Sequence, residues 1–357
     1  MTYLGEIATG RDNNLNLIRA VAASAVLVSH AVPISQGAGI LEPLKALTGY
    51  KLGTQAVFVF FAISGFLISM SFQRSSSWTS FLVARFLRLL PGLIVSLVLV
   101  AFLLGPLVSS LGPLAYMAAP ETYTFLIRNT ILIAPQNTLP GVFETHPYPT
   151  VEGSIWTLFY EVVCYMGVFV IGVLGILGRP ALVAIGMGFY GLAWFWVEAY
   201  GVSILRLERL QTLSLPFVIG VGFYVWRHML VISVFGVIGL VLVAILARGT
   251  LAYEPALILA LSYGTFYLAY VPGRRVARFL RSYNRLGDYS YGIYVYAFPL
   301  QGFAVWLFGP QTPAFNMAVA FPMTLLCAIA SWHLVEGPAM ALKPAIMRRL
   351  GPARGTG

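Results

Sequence analysis

The sequence predicts an all-α integral membrane protein, a single bundle of about ten transmembrane helices. Its composition is the first reason, since 59% of the 357 residues are hydrophobic and only 10% are charged, whereas soluble domains carry roughly 25% charged residues. The second is that apolar runs close to the ~20 residues of a spanning helix recur along the chain. The strands of a membrane β-barrel would instead give alternating segments of about ten residues.

The predicted spans follow one another along most of the chain. Each is a continuous apolar run of helical length, which is typical of membrane-spanning helices rather than strands. They cover residues 15–34, 51–73, 86–111, 154–177, 181–199, 209–226, 229–247, 251–271, 288–308 and 314–337.

Lysine and arginine are distributed unevenly over the connections between these spans. With the N-terminus inside, sixteen of the 22 basic residues fall on the cytoplasmic side and six on the opposite side, as the positive-inside rule expects. An even number of spans then places both termini, including the basic tail 339–357, in the cytoplasm. The net charge of +10 thus reflects topology and gives little reason to propose nucleic-acid binding.

No linker, repeat or low-complexity segment divides the chain, so we expect one membrane domain over residues 1–357. The longest stretch between spans, 112–153, contains six prolines and is predicted to be an outer loop. Loops of this length are often functional. Cys164 and Cys327 lie in apolar runs, which favours buried thiols over a disulfide, and no sequence motif indicates a metal site.

The first span carries two polar residues, Arg19 and His30, eleven positions apart. Eleven residues make three helical turns and about 20°, so both lie on one face, about 16 Å apart along the axis. A charged side chain at this depth usually faces the interior of the bundle. The alternative is that Arg19 reaches the inner headgroups and that His30 is an interfacial histidine.

The segment "RFLRLLP" places Arg85 and Arg88 three positions apart at the cytoplasmic start of the third span. Two guanidinium groups on one helical face can grip phosphates in bidentate fashion, which suits the polyanionic end of a nucleotide or coenzyme. The alternative is an ordinary positive-inside anchor.

The segment "SIWTLFYE" places Glu161 about two turns into the fourth span, near the predicted outer side. A carboxylate in this position needs a partner, and His30 lies at the matching predicted depth. The alternative is a carboxylate that stays hydrated at the interface.

Six segments together resemble the bacterial membrane acyltransferase 3 family, in the order and over nearly the full length that this family shows. The family transfers acyl groups to hydroxyls of extracytoplasmic glycans and some secondary metabolites. The segments are "LIRAVAASAVLVSH", "VFFAISGFLIS", "RFLRLLP", "WTLFYE", "YSYGIYVYAFP" and "SWHLVEGP".

The resemblance implies an inner-membrane O-acyltransferase that takes an acyl group, most simply acetyl, from cytoplasmic acyl-CoA. The acceptor would be a glycan or lipid-linked saccharide. His30 would act as the base, because imidazole exchanges protons near neutral pH, with Glu161 holding its ring and stabilising the imidazolium. Arg19, Arg85 and Arg88 would hold the coenzyme, and Arg19 is also a candidate for the catalytic face.

The chain departs from the family pattern at two positions. Asn16 stands where the family often has Asp, and Ala297 stands where many members have a second histidine. Glu336, in the last segment, could simply pair with an arginine of the tail. The main alternative to an enzyme is a transporter or flippase for a polar or glycan ligand, although no matched pair of broken spans supports it.

Overall fold

A computed structural model of the protein describes residues 2–10, 13–40, 42–201, 204–271 and 280–350. Some of the basic residues from which the membrane topology was predicted lie outside these ranges, as do residues 351–357 of the predicted tail. The basic residues concerned are Arg11, Arg274, Arg275, Arg278 and Arg354.

The described residues form helices and connections, and their one β-type pairing is an isolated antiparallel bridge between Tyr3 and Val231. The prediction of an all-α protein is therefore confirmed for this part of the chain. The α-helices are α1 (Leu4–Ile7), α2 (Leu15–Gln36), α3 (Pro43–Thr48), α4 (Leu52–Arg74), α5 (Trp78–Leu99), α6 (Gly105–Val108), α7 (Pro113–Ala118), α8 (Pro120–Ile131), α9 (Trp156–Val173), α10 (Pro180–Tyr200), α11 (Leu205–Val225), α12 (Val234–Leu246), α13 (Tyr253–Tyr270), α14 (Ser290–Phe308), α15 (Pro313–Ser331), α16 (Gly337–Ala341) and α17 (Lys343–Leu350).

Seven helical segments of the described chain are long and apolar enough to cross a membrane. The predicted count of about ten is not confirmed, although helices occupy all ten predicted places. Helix α12 has 13 residues, about 20 Å at 1.5 Å per residue, which is short for a ~30 Å hydrocarbon core. The seven segments are Leu15–Gln36, Leu52–Arg74, Trp78–Val108, Trp156–Val173, Pro180–Tyr200, Ser290–Phe308 and Pro313–Leu350.

Two of these segments contain a π-helical turn, Val100–Leu104 after α5 and Trp332–Glu336 after α15. A π-turn brings residues five apart into register, whereas an α-helix pairs residues three and four apart. Such turns are frequent at functional sites. The second turn orients the buried carboxylate of Glu336.

The chain divides into two compact units. Unit 1 consists of residues 1–19, 55–78 and 160–287, and unit 2 of residues 20–54, 79–159 and 288–357. The division falls between Arg19 and Ala20 of helix α2.

The core of unit 1 is built on aromatic side chains of α4, α11 and α13. The ring of Phe266 lies 4.9 Å from that of Phe66 and 5.3 Å from that of Phe223, measured between centroids. Helices α4 and α11 approach closely at Gly65, where any side chain would collide with the carbonyl oxygen of Phe217. Small residues at such crossings let membrane helices pack backbone to backbone.

Unit 2 is organised around α14, whose residues from Ser290 to Pro299 are all buried. The aromatic sequence of this helix is therefore packed inside the unit. Helix α15 packs along α14, and Thr312 caps its start by accepting a hydrogen bond from the N–H of Phe315 at 3.3 Å. The thiols of Cys164 and Cys327 are free.

Candidate active site

His30 lies on α2 in unit 2, against α14. Its ring meets that of Phe298 edge to face, with centroids 5.1 Å apart and planes at 73°. Its Nδ1 is buried and has no hydrogen-bond partner among the described residues. A buried imidazole nitrogen without a partner is unusual, because nearly all buried polar groups in proteins are hydrogen-bonded.

The predicted outer loop packs along α14. Phe143 lies against Gly302, and an added methyl at Gly153 would come 2.5 Å from Cε2 of Phe298. Further along the loop, the hydroxyl oxygen of Ser154 lies 3.3 Å from the carbonyl oxygen of Tyr294. The loop thus follows α14 back over two turns. Irregular backbone beside a membrane span is stable only when protein or a wet cavity surrounds it.

Glu152 is a buried carboxyl in this loop that the sequence analysis did not single out. It is 2% exposed, and its Oε1 accepts hydrogen bonds from the N–H and hydroxyl of Ser154, at 3.2 and 2.7 Å. Burial raises the pKa of Glu152 to about 7, although the hydrogen bonds from Ser154 and from the backbone of Ile155 lower it. An acidic residue just before α9 was its one sequence signal, since acids favour helix N-termini.

Two buried amide side chains connect α14 with α2 and α15. Nε2 of Gln301 donates to the carbonyl of Leu27 at 2.9 Å and to Oδ1 of Asn316 at 3.2 Å, and Nδ2 of Asn316 donates back to the carbonyl of Gln301 at 3.0 Å. Oε1 of Gln301 is buried without a hydrogen-bond partner among the described residues. Neither amide was predicted from the sequence.

Arg88 lies on α5 in a buried ionic cluster of unit 2. Its Nη2 is 2.5 Å from Oδ2 of Asp288, and its Nη1 is 3.5 Å from Oε2 of Glu336. The guanidinium also lies over the rings of Tyr291 and Trp332, at 6.0 and 5.8 Å from their centroids. Two carboxylates therefore compensate the charge of Arg88 inside the protein, and Arg88 is a partner of Glu336.

The π-turn at Trp332–Glu336 explains how Glu336 is held. The hydroxyl of Ser331 donates to Oε1 of Glu336 at 2.9 Å, a pairing of residues five apart that an α-helix would place on different faces. The carboxyl of Glu336 is 1% exposed. The serine and glutamate of "SWHLVEGP" therefore form one element of the Arg88 cluster.

Arg85 lies three residues before Arg88 on α5 and is partly buried. The structure confirms that the two arginines share one helix. A role of either residue in binding phosphate stays a prediction.

Arg19 and Glu161 belong to unit 1. The guanidinium of Arg19 lies 6.0 Å above the ring of Phe60. The carboxylate of Glu161 accepts hydrogen bonds from the hydroxyl of Ser64 at 3.2 Å and from that of Tyr165, at a shorter distance. The predicted pairing of Glu161 with His30, and the predicted joint action of Arg19 and His30, stay predictions.

Within the described ranges, no group of three or more His, Cys, Asp or Glu side chains is arranged to hold a metal ion.

Comparison with known proteins gives the chemical class. The profile of the acyltransferase 3 family, described as an acyltransferase domain, matches residues 12–333. A protein of Shigella phage Sf6 named O-acetyl transferase is 28% identical over 345 residues, covering 91% of this chain and 95% of the phage protein. Nodulation protein 10 of Rhizobium leguminosarum bv. viciae is 31% identical over 174 residues, covering 45% of this chain and 44% of that protein. No solved structure matches the chain. Because the profile spans most of its length, the chain belongs to the acyltransferase 3 family.

Proposed function

We propose that this protein transfers an acyl group, most simply acetyl, from acyl-CoA to a hydroxyl of an extracytoplasmic or lipid-linked glycan. Family membership and the named relative support O-acyl transfer. The observation that carries the choice of site is His30, which lies on a candidate span and whose buried Nδ1 has no hydrogen-bond partner among the described residues. The ring is therefore not locked by a direct hydrogen bond at Nδ1, and its other nitrogen, Nε2, would act as the base.

The proposed reaction is a single displacement at the thioester. The acceptor hydroxyl attacks the carbonyl carbon, a C–O bond forms and the C–S bond breaks. His30 takes the hydroxyl proton as the bond forms and then gives it to the departing thiolate, so that the products are the ester and free CoA. General-base help of this kind is worth typically 10²–10⁴-fold in rate.

The remaining candidate residues serve charge and binding in this proposal. Glu161 stays a proposed catalytic residue on the strength of its segment "WTLFYE". Arg85 and Arg19 are each proposed to bind oxygens of the donor, because a guanidinium fork matches phosphates and carbonyls. Arg88, which is paired with Asp288 and Glu336, is proposed to join Arg85 in binding the donor.

We further propose the inner membrane of a bacterium as the location, with ten spans and both termini in the cytoplasm. The uneven distribution of lysine and arginine supports this orientation. It would give the arginine side access to cytoplasmic acyl-CoA and the His30 side access to the acceptor.

The fate of labelled acetyl-CoA tests the proposal. Membranes from cells that produce the protein are incubated with acetyl-CoA carrying a labelled acetyl group, and the label is followed into glycans by mass spectrometry. We expect label on glycan hydroxyls together with stoichiometric free CoA, and neither in membranes without the protein. An intact thioester with glycan transport preserved would contradict the proposal and identify a transporter.

A further inference from the structure

Two buried polar atoms of unit 2 come from facing helices and have no hydrogen-bond partner among the residues that the structure describes. They are Nδ1 of His30, on α2, and Oε1 of Gln301, on α14. Leaving a buried polar atom unpaired costs free energy, so such atoms in native proteins generally mark an ordered water, a ligand or a functional group. Gln301 is completely buried, so bulk solvent does not reach it.

The contacts between the two helices place these atoms near each other. Phe298, three residues before Gln301, packs on the ring of His30. The amide of Gln301 donates to the carbonyl of Leu27, three residues before His30. In an α-helix this carbonyl points along the axis toward residue 31, so the amide lies beside the turn that carries His30.

One water molecule can join two polar atoms on neighbouring helices. Two hydrogen bonds of about 2.8 Å that meet near the tetrahedral angle at one water oxygen span about 4.5 Å. Buried waters typically occupy such polar positions and satisfy otherwise unpaired groups. The water would accept from an imidazole N–H and donate to the amide oxygen.

We propose that Gln301 is a positioning residue for His30. Through one bridging water, its Oε1 accepts the hydrogen bond of the Nδ1–H and fixes the tautomer in which Nε2 is free to act as the base. The proposal rests on the proposed function for its kinetic consequences, but the tautomer itself is a property of the resting protein. It separates two tasks: Gln301 sets the tautomer, and a carboxylate supplies charge.

A purely structural role for Gln301 makes a different prediction. Its Nε2 already joins α14 to α2 and α15, so any substitution of Gln301 would weaken packing. Such weakening lowers the amount of folded protein without changing the pH dependence of the rate per folded molecule. Asn316→Ala is the matched control, because it removes a hydrogen bond of the Gln301 amide and leaves the Gln301 oxygen in place.

The first measurement is the pH profile of acetyl transfer to the endogenous acceptor, per amount of folded protein. In Gln301→Glu, an anionic partner should favour the imidazolium and move the acid limb upward by about 1–3 pH units. Gln301→Met should lower kcat about 10-fold or more with the KM for acetyl-CoA unchanged. Asn316→Ala should keep the wild-type pH profile. A wild-type profile in both Gln301 variants, or the same shift in Asn316→Ala, would overturn the proposal.

The second measurement needs neither activity nor substitution of Gln301. Nitrogen NMR of the protein labelled at its four histidines reports each tautomer, and His30→Gln identifies the signal of His30. We expect the Nδ1–H tautomer at a pH where the ring is neutral. The Nε2–H tautomer would refute the role of Gln301 even if acetyl transfer is demonstrated, whereas absence of transfer with the Nδ1–H tautomer would refute only the proposed function.

Discussion

Two regions of unit 2 treat buried polar groups in opposite ways. In the Arg88 cluster (Arg88, Asp288, Ser331 and Glu336), one guanidinium lies between two carboxylates and a serine holds the second of them. In the His30 region (His30, Phe298, Gln301 and the loop at Glu152), Nδ1 of the ring and the amide oxygen are buried with neither a hydrogen bond nor an ion pair to the described part of the chain. Both regions belong to the same compact unit and line α14.

This difference indicates that the two regions have different roles, one in stabilising the fold and the other in the reaction. Charges that are paired inside a protein hold helices in register, and removing one partner leaves the others buried and uncompensated. Polar atoms without protein partners cost stability, and such costs cluster at functional sites. We therefore expect the Arg88 cluster to determine the folding stability of the protein, and the His30 region to determine its catalytic activity.

The largest expected effect on stability follows from breaking the Arg88 cluster. Arg88→Ala would remove the guanidinium that lies between the carboxyl of Glu336, 1% exposed, and that of Asp288, at a cost of about 3–5 kcal/mol. We expect a marked fall in thermal stability in detergent, measured by fluorescence-detected size exclusion. Arg349→Ala, at an exposed position of α17, is the control and should match the wild type. If Arg88→Ala were as stable as the wild type, the Arg88 cluster would not stabilise the fold, and this part of the account would be wrong.

The second expected effect is a pH dependence of stability caused by Glu152, in the loop of the His30 region. Below pH 4.5 Glu152 is protonated in both states, so it costs nothing. Between pH 4.5 and about 7 the unfolded chain loses this proton and the folded protein keeps it, so stability falls as pH rises. With a folded pKa of about 7, the full cost above that pH is about 3 kcal/mol at 1.36 kcal/mol per unit.

Glu152→Gln removes this titration and keeps an oxygen that can accept from Ser154. We expect the variant to gain stability over the wild type at pH 8 and to show little gain at pH 5, in thermal unfolding at both values. Glu121→Gln, at an exposed position, should show no such difference between the two pH values. A gain that is equal at both pH values would mean that the carboxyl is ionised when folded.

The smallest effect concerns Arg85, which shares α5 with Arg88 but is expected to act on binding. Replacing it by Ala should raise the KM for acetyl-CoA about tenfold with kcat unchanged, because it removes binding common to ground and transition states. Arg85→Lys keeps the charge and loses the planar fork, so its KM for acetyl-CoA should lie between those of the wild type and Arg85→Ala. An unaltered KM in folded Arg85→Ala would leave Arg85 as a topological anchor.

The helices could be predicted from the sequence because apolar runs are a local signal. The start of α2 was predicted at residue 15 and the end of α14 at residue 308, as observed. The count of about ten spans was not confirmed, because α12 is apolar but short and α11 and α13 are long enough but less apolar. Whether a short apolar helix crosses a bilayer depends on its neighbours, which composition does not report.

Contacts within one helix of the candidate site could be predicted from the sequence, whereas contacts between residues far apart in the sequence could not. The spacing of Arg85 and Arg88 can be read from one helix, but Asp288 lies 200 positions from Arg88 and no periodicity connects them. The amide of Gln301 meets α2 at 274 positions' separation. The loop was predicted to face outward from the distribution of lysine and arginine. Its prolines indicate irregular backbone without indicating where that backbone packs.

The activity of His30→Ala tests the central claim most directly. Wild-type and variant proteins are purified, reconstituted with membrane acceptor, and compared for transfer of labelled acetyl from acetyl-CoA per folded molecule. The account predicts that the variant folds with near wild-type stability, since a smaller side chain preserves the helix, and that its transfer rate falls by about 10²–10⁴-fold. Transfer at the wild-type rate by folded His30→Ala would contradict the account and remove this histidine from the chemistry.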